Sequence, residues 1–237
     1  MKRILIMMFL LVSMLALAQT PQQILREYKV PQKFLNDLFE ERYLEKYAYK
    51  IKIEDTDKEN KKREKVLSYD PSRGSGTKWK LVSVNGAAPN ADQLKEETQM
   101  NAQEGRASTQ KGDLVDESKI KIVSQNESQI VLSFNFNENA LPSSFSFLAD
   151  NVPGLIYLNK ADKTLSRILI KSAEPFRVKV VAKIEQFSLD IRYKTEPQLK
   201  IYVPQTENLK LKMSAMGMDI AQNNMQEYFD YKLVKAD

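Results

Sequence analysis

The chain has 237 residues, no cysteine, no histidine, a formal net charge of +5 and 42% hydrophobic residues. Without Cys it has neither disulfides nor thiol chemistry; without His it lacks the commonest general base, the Ser-His-Asp and Cys-His systems and ordinary zinc sites. Lys61-Lys62-Arg63 is the one basic run, read as a solvated hairpin tip, and the other Lys and Arg are scattered among acids, so a nucleic-acid interface has little support.

The chain opens with Met1-Lys2-Arg3, an apolar run from Ile4 to Leu15 broken only by Ser13, and Ala16-Leu17-Ala18. A positive start, a short apolar stretch and an A-x-A site predict a secretory signal peptide over residues 1–18, cleaved before Gln19. Two of the five net positive charges leave with it. The mature chain, residues 19–237, is expected to be one domain, exported to the periplasm or cell envelope. It has no lipid-bearing Cys and no further segment apolar enough to span a bilayer.

Pro31 followed by Phe34, Leu35, Leu38, Phe39 and Tyr43 predicts an amphipathic helix of roughly three turns. At Tyr47, Tyr49, Ile51 and Ile53 the period switches to two, and a second strand follows at Val66 to Tyr69. Trp79 to Val84 reads as a strand, Asn85-Gly86 as a turn, and Asn90 with Gln93 three residues on as a capping box that opens a helix over Ala91 to Ala102. Gln103 to Lys119 is polar apart from Leu114 and Val115 and predicts a mobile excursion from the sheet. Strands are expected at Ile120 to Val123 and Ile130 to Phe136. Leu155 to Lys171 predicts a hairpin turning at Lys160-Ala161-Asp162-Lys163. Phe176 to Tyr193 reads as one long strand whose phase changes at a bulge near Glu185-Gln186. Strands at Leu199 to Val203, Leu209 to Met213 and Phe229 to Leu233 complete a mainly β (α+β) fold. Its alternation of apolar and charged residues gives the sheet one wet face, and the few helices are the natural cover of the other.

No stretch carries a specific catalytic motif. Gly74-Ser75-Gly76-Thr77-Lys78 lacks phosphate-loop spacing, and the acids Glu40, Glu41, Glu45, Asp113, Asp116 and Glu117 fall on predicted solvent faces. The protein is therefore read as non-catalytic, with no metal and no cofactor. Two groups stand out as candidate lining for an apolar pocket. One is Phe145, Phe147 and Leu148, in the segment bracketed by Pro142 and Pro153-Gly154; the other is Met213, Met216 and Met218, because methionine suits surfaces that accept variable apolar partners.

The order of these features, signal peptide, the helix over 31–46, the Tyr49 strand, Trp79, then the KADKTLSRI hairpin in a long antiparallel meander, resembles the outer-membrane lipoprotein carrier family. The resemblance implies a single large curved antiparallel sheet, an unclosed half-barrel covered by helices, whose apolar concave face receives acyl chains. A lipid or acyl ligand and envelope proteins are the partners it implies. The alternative is an envelope-associated structural or interaction β-protein with a packed core and no small ligand.

Overall fold

The computed structural model describes residues 19–31, 34–39, 44–56, 62–74, 77–104, 113–141, 147–178, 182–197, 199–215 and 217–234. They form one 11-stranded antiparallel sheet that does not close on itself. Three strands come first: β1 (Tyr47–Thr56), β2 (Lys62–Tyr69) and β3 (Trp79–Val84). Then follow β4 (Lys121–Gln125), β5 (Gln129–Phe134), β6 (Gly154–Asn159), β7 (Thr164–Lys171) and β8 (Phe176–Val178). Three long strands, β9 (Ala182–Glu196), β10 (Ile201–Ala215) and β11 (Met218–Leu233), end the sheet. The spatial order is β3-β2-β1-β11-β10-β9-β7-β6-β5-β4, with β8 also on β9. The first and last strands are thus neighbours, Tyr47 standing opposite Leu233.

Cross-strand registers fix which side chains share a face. Ile130, Leu132 and Phe134 of β5 face Leu158, Ile156 and Gly154 of β6, which face Leu165, Ile168 and Ile170 of β7; Ile191 and Leu189 of β9 continue the row. Leu132, Leu158 and Ile168 have no exposed surface at all. Burial of each such side chain stabilises the fold by about 1.5–3 kcal/mol, so this inner face carries the main core. Its cover is two short helices, α1 (Pro21–Glu27) and α2 (Phe34–Phe39), which bring down Ile24, Leu25, Tyr28, Phe34 and Leu35. Helix α1 begins at a capping box between Thr20 and Gln23 with Pro21 in its first turn. It is tied down by Tyr202 Oη donating to Tyr28 O at 2.6 Å and by the Lys163–Glu27 ion pair at 2.6 Å. The outer face is polar: Arg167 clasps Asp190 with two bonds of 2.7 Å and stacks over Tyr157, and Lys52 reaches Glu54 and Glu227.

Several elements match their sequence signals. Asn85-Gly86 is a two-residue turn with both residues at positive φ, closed by Val84 and Ala87 exchanging hydrogen bonds. Helix α3 (Ala91–Glu104) opens on the reciprocal Asn90–Gln93 box, each bond 2.9 Å. The hairpin turns at 160–163, and the register slips at Glu185, where Gln186 faces Lys212 but Ile184 faces Met213.

Four expectations are corrected. Phe176 to Tyr193 is not one strand, because Phe176–Val178 pairs antiparallel with Ala182–Ile184; no turn signal stands in that β-rich run. The strands expected at 199–203 and 209–213 are the two ends of β10, bent by an extra residue at Gln205, and Leu199 itself lies in the turn before it. β11 starts at Met218, eleven residues before its expected start, with an amide-rich first half that pairs through its backbone. In the expected excursion over 103–119, residues 105–112 lie outside the described set, but 113–119 are anchored. Leu114 and Val115 are buried in the main core, and Asn36 both donates to Val115 O (3.2 Å) and accepts from Val115 N (2.8 Å).

Candidate functional site

Helices α1 and α2 cover only part of the inner face. Beyond them, toward the β10–β11 turn, register places Phe176 opposite Ile184, Ile184 opposite Met213, and Met213 opposite Ile220, with Ala215 opposite Met218 one step further. The row begins under helix α4 (Phe147–Asn151), whose Phe147 ring lies 5.8 Å from that of Phe176 and whose Leu148 packs on the main core. Along it burial falls away: Ile184 is 4% exposed, Met213 half-buried, Ile220 43% and Met218 62% exposed. Leu209, Leu211 and Phe187 lie on the same face and are half-buried.

Of the six apolar residues singled out in the sequence, Phe147 and Leu148 therefore sit at the covered end of this row, Met213 in its middle and Met218 at its open end. Phe145 and Met216 lie outside the described residues. Met218 shares the core-bearing face yet stands in solvent, since β11 runs on past the cover.

At the other end of the sheet the inner face is aromatic. Tyr49 stacks on Tyr231 at 5.5 Å and lies 5.1 Å from Tyr69, 5.8 Å from Trp79 and 6.2 Å from Tyr228. The cluster follows from tyrosines at alternate positions, Tyr47 and Tyr49 on β1, meeting Tyr228 and Tyr231 on β11, where a register shift opposite Ala48–Lys50 and a positive φ at Asp230 turn Tyr231 inward beside Tyr49. Such alternation is a strand signal in sequence, but the meeting of β1 with β11 is not. Tyr231 Oη donates to Pro204 O at 2.8 Å, and the Tyr228 hydroxyl lies between Glu207 (3.2 Å) and Gln226 (3.0 Å). Burial, with Glu207 close by, pushes the Tyr228 phenol well up, and burial does the same to Tyr231. A folded-state value raised above the unfolded one gives stability that is complete below about pH 10, the ordinary phenol value, and is lost as pH climbs through the higher folded values. Absorbance at 295 nm should accordingly show fewer phenolates at pH ~11 in the native chain than in the urea-unfolded chain, and equal counts would contradict the burial of this cluster.

The cluster merges into a smaller core of Leu67, Leu81 and Val84 on β2 and β3. Here α3 approaches, and two cations of β2 meet its acids: Lys65 Nζ lies 3.2 Å from Glu97, with side chains 17% and 10% exposed, and Arg63 lies 3.7 Å from Glu96. The basic run read as a hairpin tip is thus, from Lys62 onward, part of a strand.

Asp113, Asp116 and Glu117 border a polar surface depression with Asn36, Ser118 and Asn137. Asp116 caps the short turn of 117–119 and bonds Ser118 and Lys119, which hold its carboxyl below the usual range. Among the described residues no group of three or more carboxylates could hold a metal ion, and no helix is long and apolar enough to cross a membrane. No family model, curated protein or solved structure matches the chain.

Proposed function

We propose that this is an exported, non-catalytic carrier for an apolar, acyl-bearing ligand, acting in the cell envelope in the manner of the outer-membrane lipoprotein carriers it resembles. The observation that supports this reading is the inner-face row from Phe147 through Phe176, Ile184 and Met213 to Ile220 and Met218. It joins the packed core at one end and is open to water at the other. A row of adaptable, half-covered apolar side chains offers an acyl chain burial that water denies it, at about 25 cal/mol per Å² removed from solvent. The competing reading, an envelope interaction protein with no small ligand, draws on edge strand β4, all five of whose residues are exposed, Val123 at 53%.

Titration with fluorescent fatty acids of several chain lengths separates the two. The carrier reading expects saturable binding, abolished by Met213→Asp and weakened by Met218→Asp. Met218→Asp should change stability by no more than about 0.5 kcal/mol, because its side chain already stands in water. Folded wild-type protein that binds none of the probes would leave the interaction protein standing.

A further inference from the structure

We propose that Arg63 and Lys65 form an anion site on the inner face for the carboxylate or phosphate head of an amphiphilic ligand, and that Glu96 and Glu97 of α3 fill it in the ligand-free chain. This rests on the carrier reading and names the head group that reading leaves open.

The first ground is the placement of charge. Arg63 stands opposite Asp55, and Lys65 opposite Ile53 and Val84, so the two-residue period puts Arg63 and Lys65 on the face of Leu67, Leu81 and Val84. By the same registers Lys50, Lys52, Lys80, Lys183, Lys210 and Lys212 face outward. Among the described strand residues, Arg63 and Lys65 are the cations of the inner face.

A cation there is costly unless an anion meets it, because the desolvation of a lysine ammonium is repaid only by a close, well-placed partner. In this structure the partner comes from the chain itself. Glu97 is 7% exposed as a residue and reaches Lys65; Glu96 reaches Arg63 from a solvated position, where an ion pair contributes little.

The second ground is how α3 is held. In its first two turns Leu94, the one large apolar side chain, is 42% exposed. That stretch is thus attached chiefly by charge, and an incoming carboxylate, or a singly charged phosphodiester, can replace the Glu97 carboxylate on Lys65 without changing the charge balance of the pair. Beside the cations lie Leu67, Leu81 and Val84, then half-buried Ile53 and Trp79, an apolar patch that the inner-face amides Gln222, Asn224 and Gln226 of β11 separate from the row ending at Met218. An amphiphile whose head meets Arg63 and Lys65 would lay the first part of its tail on this patch.

Because the chain's own acids compete, the apparent affinity for an anionic ligand is reduced by the fraction of chains whose site is vacated. The experiment uses the full chain and two probes, a fluorescent fatty acid and its methyl ester, with inorganic phosphate as competitor. Wild type should prefer the acid, and the preference should shrink with added NaCl. Glu96→Gln with Glu97→Gln should tighten acid binding about tenfold and leave the ester within about twofold. Arg63→Gln with Lys65→Gln should reduce the acid to the level of the ester. Equal affinities for acid and ester in wild type at every salt concentration overturn the anion site while leaving the carrier reading intact, and this needs no variant to fold. Displacement of the acid by an equal concentration of inorganic phosphate overturns the head-group assignment in favour of a free-anion site. Folded wild type that binds neither probe removes the carrier reading and this proposal with it.

Discussion

Gly154→Ala is expected to destabilise the protein by about 3 kcal/mol, at the upper end for overpacking a core by a single methyl group. Gly154 pairs with Phe134 across β5 and β6, and the Phe134 ring lies over it so closely that an added Cβ would stand 2.0 Å from Cζ and within 2.5 Å of both Cε atoms. A ring can swing aside where there is space. Phe134 has none: it is 2% exposed and meets Phe136 edge-on at 5.7 Å. The shift must therefore pass into the main core or split the β5–β6 ladder. Urea unfolding monitored by circular dichroism gives the size of the loss, and Phe134→Leu added to Gly154→Ala tests its cause. The pair should be more stable than Gly154→Ala alone, although Phe134→Leu by itself removes buried surface. A double variant as unstable as the two single losses summed would mean that the ring is not what the methyl group meets.

Asn36→Leu is expected to cost a comparable amount, about 2–6 kcal/mol, because it leaves both the amide and the carbonyl of Val115 buried without a partner at about 1–3 kcal/mol each. Asn36 is 3% exposed, and its two bonds to Val115 join α2 to a segment 79 residues later in the chain. The loss should be accompanied by a local change that a general core defect would not give. Limited proteolysis of the wild type should spare 113–119, whereas Asn36→Leu should open a cut there ahead of the hairpin of β6 and β7. Asn36→Asp, which keeps the acceptor for Val115 N but loses the donor to Val115 O, should fall between the two. Early cutting within 113–119 in the wild type would restore the view of this segment as a loose excursion.

Both sites depend on contacts that no stretch of consecutive residues encodes. Nothing around Gly154 in sequence marks it as the floor beneath a ring, because Phe134 reaches it only through strand pairing. Leu114 and Val115 were visible as the apolar pair in a polar stretch, but their anchor is one asparagine on α2. Helix α1 is different, since its signal is local: Thr20-Pro21-Gln22-Gln23 carries the same box as Asn90 to Gln93.

What the amino-acid sequence determined by itself is the set of features whose free energy is contained within a few consecutive residues. The left-handed Asn85-Gly86 turn, the cap of α3, the hairpin at 160–163 and the bulge at Glu185 are of this kind, and so is the one-sided alternation that requires a sheet with one covered face. Tertiary structure alone decided that β1 lies beside β11, that Tyr49 meets Tyr231 and Tyr228, and that Arg63 and Lys65 turn inward onto the acids of α3. It also decided where the cover ends, which leaves Met213 half-buried and Met218 in water on one and the same face. The reason is physical: a strand's period states only that its two faces differ. Which strands adjoin it, and which helix lies over it, depends on the combined burial of elements from opposite ends of the chain, as in the pairing of Tyr47 with Leu233.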